Sequence, residues 1–212
     1  MPQRTRNRIT NRSKYGSGLA EFIPALFVFL FIIALPLINL LTFAMGFANV
    51  GLLGTQCAVD AANASSYPDA LAKVQSRATS ITTSGMGRFA KMVPIGGYNG
   101  CGVNVFITET DINTKTVVEY GPNVKMTAAY DPSNKIYEYT IKTSFNIGPF
   151  MSLGAVPFVG GIPMIGVPTP VSTAAHRAVE HSEAISMWLL LKQFSLLAST
   201  PSPLPSMAII VA

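Results

Sequence analysis

The sequence predicts an α+β protein: one long N-terminal apolar helix, then a small antiparallel sheet with flanking helices. Three observations carry this. No charged side chain occurs from Phe22 to Val59. Further on, Val103, Val105 and Ile107, and later Tyr137, Tyr139, Ile141, Thr143 and Phe145, recur at every second position. That period of two is the mark of a strand with one buried face. Between them, Asp131-Pro132-Ser133-Asn134 supplies a tight turn, and short connections favour neighbouring antiparallel strands.

The helix comes first. Its core reads FIPALFVFLFIIALPLINLLTFAMGFANVGLLG. A transmembrane helix needs about 20 apolar residues. The run exceeds that, so the helix is expected to leave the bilayer near Phe43–Phe47 and to continue outside it. A cleaved secretory signal has an apolar region of only about 7–15 residues, so the length argues for a retained span. Pro24 falls in the first turns, where a missing N–H matters little. Pro36 falls deep and predicts a kink or a loosened stretch, because it removes a backbone donor. Gly46, Gly51 and Gly54 make the outer half either flexible or closely packed.

Charge fixes the orientation. The 212 residues are 49% hydrophobic and only 12% charged, where a soluble domain carries about 25% charged residues. The net charge is +5. Arg4, Arg6, Arg8, Arg12 and Lys14 all precede the first acid, Glu21, and the rest of the chain is balanced. A basic cluster ahead of an apolar run stays in the cytoplasm while the following segment inserts. The basic groups lack interleaved aromatics or a recognisable binding module, which argues against nucleic acid as a partner.

Glu21 stands at the membrane entrance, where an ionisable side chain is placed at a cost and marks a functional candidate. Its context is Lys14-Tyr15-Gly16-Ser17-Gly18-Leu19-Ala20-Glu21-Phe22. A basic leader, a glycine, four residues, then Glu-Phe and a long apolar helix resemble the class III signal of type IV pilin-like proteins. The leader and the Glu-Phe pair look most like the TadE/TadF-type pseudopilins of Tad pilus systems. The resemblance covers about residues 12–62. It implies a pilin-like fold and cleavage by prepilin peptidase between Gly16 and Ser17. It also implies that Glu21, at position five of the mature chain, with Phe22 beside it, serves subunit assembly. In that family the carboxylate is thought to pair with the N-terminal amine of a neighbouring subunit. The implied partners are other pilin or pseudopilin subunits, the peptidase, the assembly platform and the lipid bilayer. The implied location is the inner membrane, single-pass, with the domain extracytoplasmic. The chain then divides into a leader (1–16), the membrane helix and its extension (17–62), an extracytoplasmic α+β domain (63–200) and a Pro-rich tail (201–212).

In the outer domain, Tyr67-Pro68 is expected to break the small-residue helix, and Asp69–Ser80 to form a second, amphipathic one. Gly85 to Gly102 reads as a loop. The strand signals form a meander of about four: Val103–Ile107, Thr116–Tyr120, an alternation at Val124, Met126, Ala128 and Tyr130, and the run from Tyr137 to Phe145. The segment 148–170 is apolar yet full of Gly and Pro. It is either an ordered loop over the sheet or an exposed contact surface, and a subunit-contact or membrane-proximal role is preferred. Val171–Ser182 reads as a helix with His176 and Glu180 as a surface pair, and Ile185–Leu197 as a docked or interfacial helix.

Cys57 and Cys101 form no CxxC pair. In an exported domain they are expected to form a disulfide, adding about 3–4 kcal/mol by closing a long loop; the alternative is two separate buried thiols. His176, Glu180 and His181 match neither HExxH nor HxxEH, so no metal is expected. No nucleotide loop, nucleophile elbow or other cofactor motif is present, and an enzyme is not expected. The alternative to a pilin-like subunit is an anchored extracytoplasmic binding or adhesion protein whose leader is never cut.

Overall fold

The computed structural model describes residues 21–155 and 160–181. The cleavage pair Gly16 and Ser17, the expected helix at Ile185–Leu197 and the Pro-rich tail lie outside those residues. The fold is α+β, with a long apolar helix against an antiparallel sheet.

Helix α1 runs from Glu21 to Ala62. Those 42 residues are about 63 Å at 1.5 Å per residue. It is long and apolar enough to cross a membrane by length and composition. Ahead of Pro36 the stretch Phe29–Ala34 is π-helical, and Leu35 N–H reaches back to Leu30 O. The wider turn is how the helix passes a proline, which cannot donate and crowds the preceding turn. The loosened stretch expected there is this segment.

Tyr67-Pro68 does not end a helix but begins one. Helix α2 spans Tyr67–Thr83, with proline in its first turn and the Ser66 hydroxyl accepting from Asp69 N–H. Proline suits that position because its absent N–H would be unpaired there anyway. Its apolar stripe Tyr67, Ala70, Leu71, Val74 and Ala78 is buried. The expected loop at Gly85–Gly102 contains a short helix α3 (Gly85–Phe89), strand β1 (Met92–Pro94) and a single 3-10 turn (Tyr98–Gly100).

Four further strands complete the sheet: β2 (Val103–Asp111), β3 (Val117–Tyr120), β4 (Lys135–Ile147) and β5 (Thr169–Ala178). All pairings are antiparallel, and β4 is central. Along one edge β4 pairs first with β2 and then with β1, and along the other with β5. β3 lies outside β2. The arrangement is therefore not a meander: the chain leaves β3 and returns on the far side of β2.

Two further expectations fail, for physical reasons. Val124–Tyr130 alternates but forms no strand; only Met126 makes an isolated bridge, and its side chain is buried. Asn123, at φ 60°, occupies the edge of β2 instead. Its N–H donates to Val105 O at 2.8 Å, and its side-chain oxygen accepts from Val105 N–H at 2.9 Å. Val171–Ser182 is not a helix either, since β5 takes its first part. Its small side chains are what the sheet needs beneath α1: a Cβ at Gly54 would meet Thr173 and Ala175 at ordinary contact distances. Full pairing with β4 outweighs a modest helix propensity.

The core lies between one face of the sheet and the two long helices. Val103, Val105 and Ile107 meet Tyr139, Ile141, Phe145 and Ile147 there, together with Val50, Leu53 and Ala61 of α1. Tyr67 of α2 stacks on Tyr139 with ring centroids 6.3 Å apart. The opposite face is polar, as an antiparallel sheet allows. Thr108, Thr140 and His176 form a hydrogen-bonded row across it, at 2.7 and 2.9 Å.

Candidate functional site

The candidate site is α1 itself, and it has two halves of different character. From Glu21 to Ile38 most of the helix surface is left uncovered by the other described residues. Phe22 is 62% exposed, Ile32 62% and Leu37 62%. Large apolar side chains point outward all round, the pattern of a helix solvated by lipid or by other helices. Glu21 and Phe22, which the sequence singles out, stand together at the beginning of this bare segment, both exposed.

From Asn39 onward a narrow stripe is buried: Asn39, Thr42, Gly46, Val50, Leu53, Gly54, Cys57, Ala58, Ala61 and Ala62. The spacing of three and four residues keeps them on one side. Small residues let the helix lie close to the sheet. At Gly46 even a methyl group would stand 2.7 Å from Ile147 Cγ2 and 3.1 Å from Ala90 Cβ. Close packing, not flexibility, is the reason for that glycine.

Asn39 marks the junction of the halves. It is fully buried. Its amide donates to Met151 O at 2.9 Å and Ile165 O at 2.6 Å, and its oxygen accepts from Met151 N–H at 2.9 Å. One side chain thus fastens two stretches of the apolar segment after β4 to the helix. Sequence reasoning missed it. The available signal was an amide inside an apolar run, which must find partners.

The described residues of that apolar segment are partly buried and partly exposed. Leu153 is buried as core, while Phe150, Met151, Ile162, Met164 and Val167 are exposed at 36–42%. Phe150 packs against Phe89 of α3 at 5.0 Å, and Lys91 Nζ donates to Phe150 O at 3.0 Å.

The expected Cys57–Cys101 disulfide is not formed in this structure; both are free thiols. Cys57 is buried with Sγ 3.8 Å from Val74 O of α2, and Cys101 is half-buried with Sγ 3.8 Å from Val103 O. Burial pushes the Cys101 thiol above its ordinary value, so it stays protonated at neutral pH and is a poor nucleophile. His176 and Glu180 are not a pair on a helix face. His176 bonds Thr140 from β5, and Glu180 N–H donates to Ala62 O beyond the strand.

Charged groups at the end of the domain away from the bare half serve structure. Lys135 Nζ meets the buried Glu109 carboxylate at 2.5 Å, with the Tyr120 hydroxyl donating to its other oxygen at 3.3 Å. Arg77 grips Asp60 through two nitrogens at 2.7 and 3.2 Å, tying α2 to α1.

No family model matches the chain, and no curated protein or solved structure matches it.

Proposed function

We propose that the chain is a pilin-like structural subunit, anchored in the inner membrane by the first half of α1 with its basic leader in the cytoplasm. In this reading it is a pseudopilin or minor pilin of a Tad or type IV-like pilus, or of its assembly apparatus. Prepilin peptidase cuts after Gly16. The observation that carries the reading is Glu21-Phe22 at the head of a bare apolar helix, five residues after Gly16 and behind a basic leader. The layout of the fold supports it: a helix whose outer half lies across a small antiparallel sheet while its inner half is left free to pack elsewhere.

The chemistry is coherent. Cleavage would create an ammonium at Ser17 close to the apolar phase. A carboxylate from a neighbouring subunit's Glu21 would relieve the desolvation of both charges. Phe22 and the residues after it would supply the apolar surface for helix-to-helix packing.

The test is the N-terminal sequence and intact mass of the protein recovered from its native membranes. A start at Ser17 is expected. Glu21→Ala should then abolish incorporation into filaments or assembly complexes while leaving the thermal unfolding of the outer domain unchanged. A start at Met1 with Glu21→Ala tolerated would overturn the subunit reading in favour of an anchored binding or adhesion protein.

A further inference from the structure

We infer that the domain has a second contact with the membrane: the apolar collar of 148–155 and 160–168, with α3 beside it, rests in the headgroup boundary of the outer leaflet. This rests on the reading of α1 as a membrane span.

The depth argument is geometric. Asn39 lies eighteen residues beyond Glu21, about 27 Å along a helix that rises 1.5 Å per residue. The hydrocarbon layer is about 30 Å thick, with headgroups extending the bilayer to about 40–45 Å. If Glu21 marks the inner boundary, the Asn39 clamp falls at the outer edge of the hydrocarbon. Gly46, where Ala90 and Ile147 close on the helix, lies seven residues further, about 10 Å, at the outer limit of the headgroups. The collar is tied to α1 at the first of these levels, through Met151 and Ile165.

Its surface suits that place. Phe150, Met151, Ile162 and Met164 are exposed, and Met151 is held by Asn39, where the bare half of the helix ends. An amide in hydrocarbon must be satisfied internally, and the collar's own backbone satisfies Asn39. The only charges in 85–102 are Arg88 and Lys91, and 146–168 carries none. Basic groups above an apolar rim complement anionic phospholipid headgroups. A cleft of about 390 Å³ opens beside the collar, lined in part by Lys91, Asn146 and Ser152. The acids Asp60, Glu109, Asp111 and Asp131 belong to the opposite end, near the close of α1 and the first residues of β4.

The experiment places single tryptophans in full-length protein carrying Trp188→Phe, reconstituted in phospholipid bilayers. Phe150→Trp and Met164→Trp report on the collar, Leu30→Trp on the span and Val118→Trp on the far sheet edge. Lipids brominated near the carbonyl ends of their chains should quench both collar tryptophans, which should also be blue-shifted. Lipids brominated deeper should quench Leu30→Trp, and neither should quench Val118→Trp. Quenching of Leu30→Trp with both collar positions unquenched would overturn the collar and leave the span standing. A blue-shifted, unquenched collar would overturn it in favour of cover by a second copy of the chain. Loss of quenching at Leu30→Trp as well would overturn the span itself.

Discussion

The two halves of α1 belong to one continuous helix and differ in composition as they differ in use. Most of residues 22–38 are large, apolar and exposed among the described residues. Residues 39–62 carry glycine and alanine along one side and fit the sheet closely. Residues 21–38 are also the more hydrophobic, with Glu21 their one polar side chain, while 39–62 include Asn39, Thr42, Asn49, Thr55, Gln56 and Asp60. Side-chain size separates them too: small residues where the sheet approaches, bulky ones where it does not. Asn39 stands where one regime gives way to the other.

The largest expected effect comes from violating the close-packed half. Gly46→Leu forces a branched side chain into Ile147 and Ala90 and should destabilise the domain by about 3 kcal/mol or more, read as a drop in its thermal midpoint. Next, Leu53→Ala and Leu30→Ala set the halves directly against each other. Leu53 is fully buried and Leu30 is 46% exposed. The first should cost about 2–5 kcal/mol; the second should leave domain unfolding within about 0.5 kcal/mol of the parent. Equal losses would dissolve the distinction.

Asn39→Leu tests the junction. It leaves Met151 N–H and two carbonyls without their partner, a loss of about 1–3 kcal/mol. Hydrogen exchange should speed up at 148–155 and 160–168 and stay unchanged in β4. The smallest effect concerns acid. The Thr114 N–H lowers the Asp111 carboxyl, and the Asn134 side chain lowers that of Asp131. Folded values below the unfolded ones mean that this stability is fully present above the ordinary aspartate range. It is lost as pH falls through the lowered values. Asp131→Asn should therefore lower the thermal midpoint by a pH-independent amount from neutrality upward and shallow its fall on the acid side.

Much of the fold was legible because its signals are local. The charge-free run, the alternations in β2 and β4 and the Asp131 turn each announce themselves within about ten residues. Asp131 does accept from Ser133 N–H and the Asn134 amide, as a turn aspartate does. The errors arose where a distant partner decides. VSTAAHRA reads as helix because alanine and the i, i+4 spacing of His176 and Glu180 satisfy a helical period. Only the ladder of β4 and the close approach of α1 make it a strand. Val124–Tyr130 reads as strand because nothing local says that Asn123 already holds the edge of β2. At the site, Glu21 and Phe22 were visible as an acid and an aromatic at the mouth of an apolar run. Asn39 was not, because its partners lie 112 and 126 residues away.

The central claim is that the first half of α1 is buried in a membrane while the domain beyond it stands outside the cytoplasm. Single cysteines at Leu26, Leu30 and Leu37, and separately at Ser76 and Thr116, in a chain carrying Cys57→Ser and Cys101→Ser, test it most directly. A membrane-impermeant maleimide applied to intact spheroplasts should label positions 76 and 116 at once. It should leave 26, 30 and 37 unlabelled even after the membrane is broken open without detergent. Labelling of 76 and 116 only after rupture, or free labelling of 26, 30 and 37, would contradict the account.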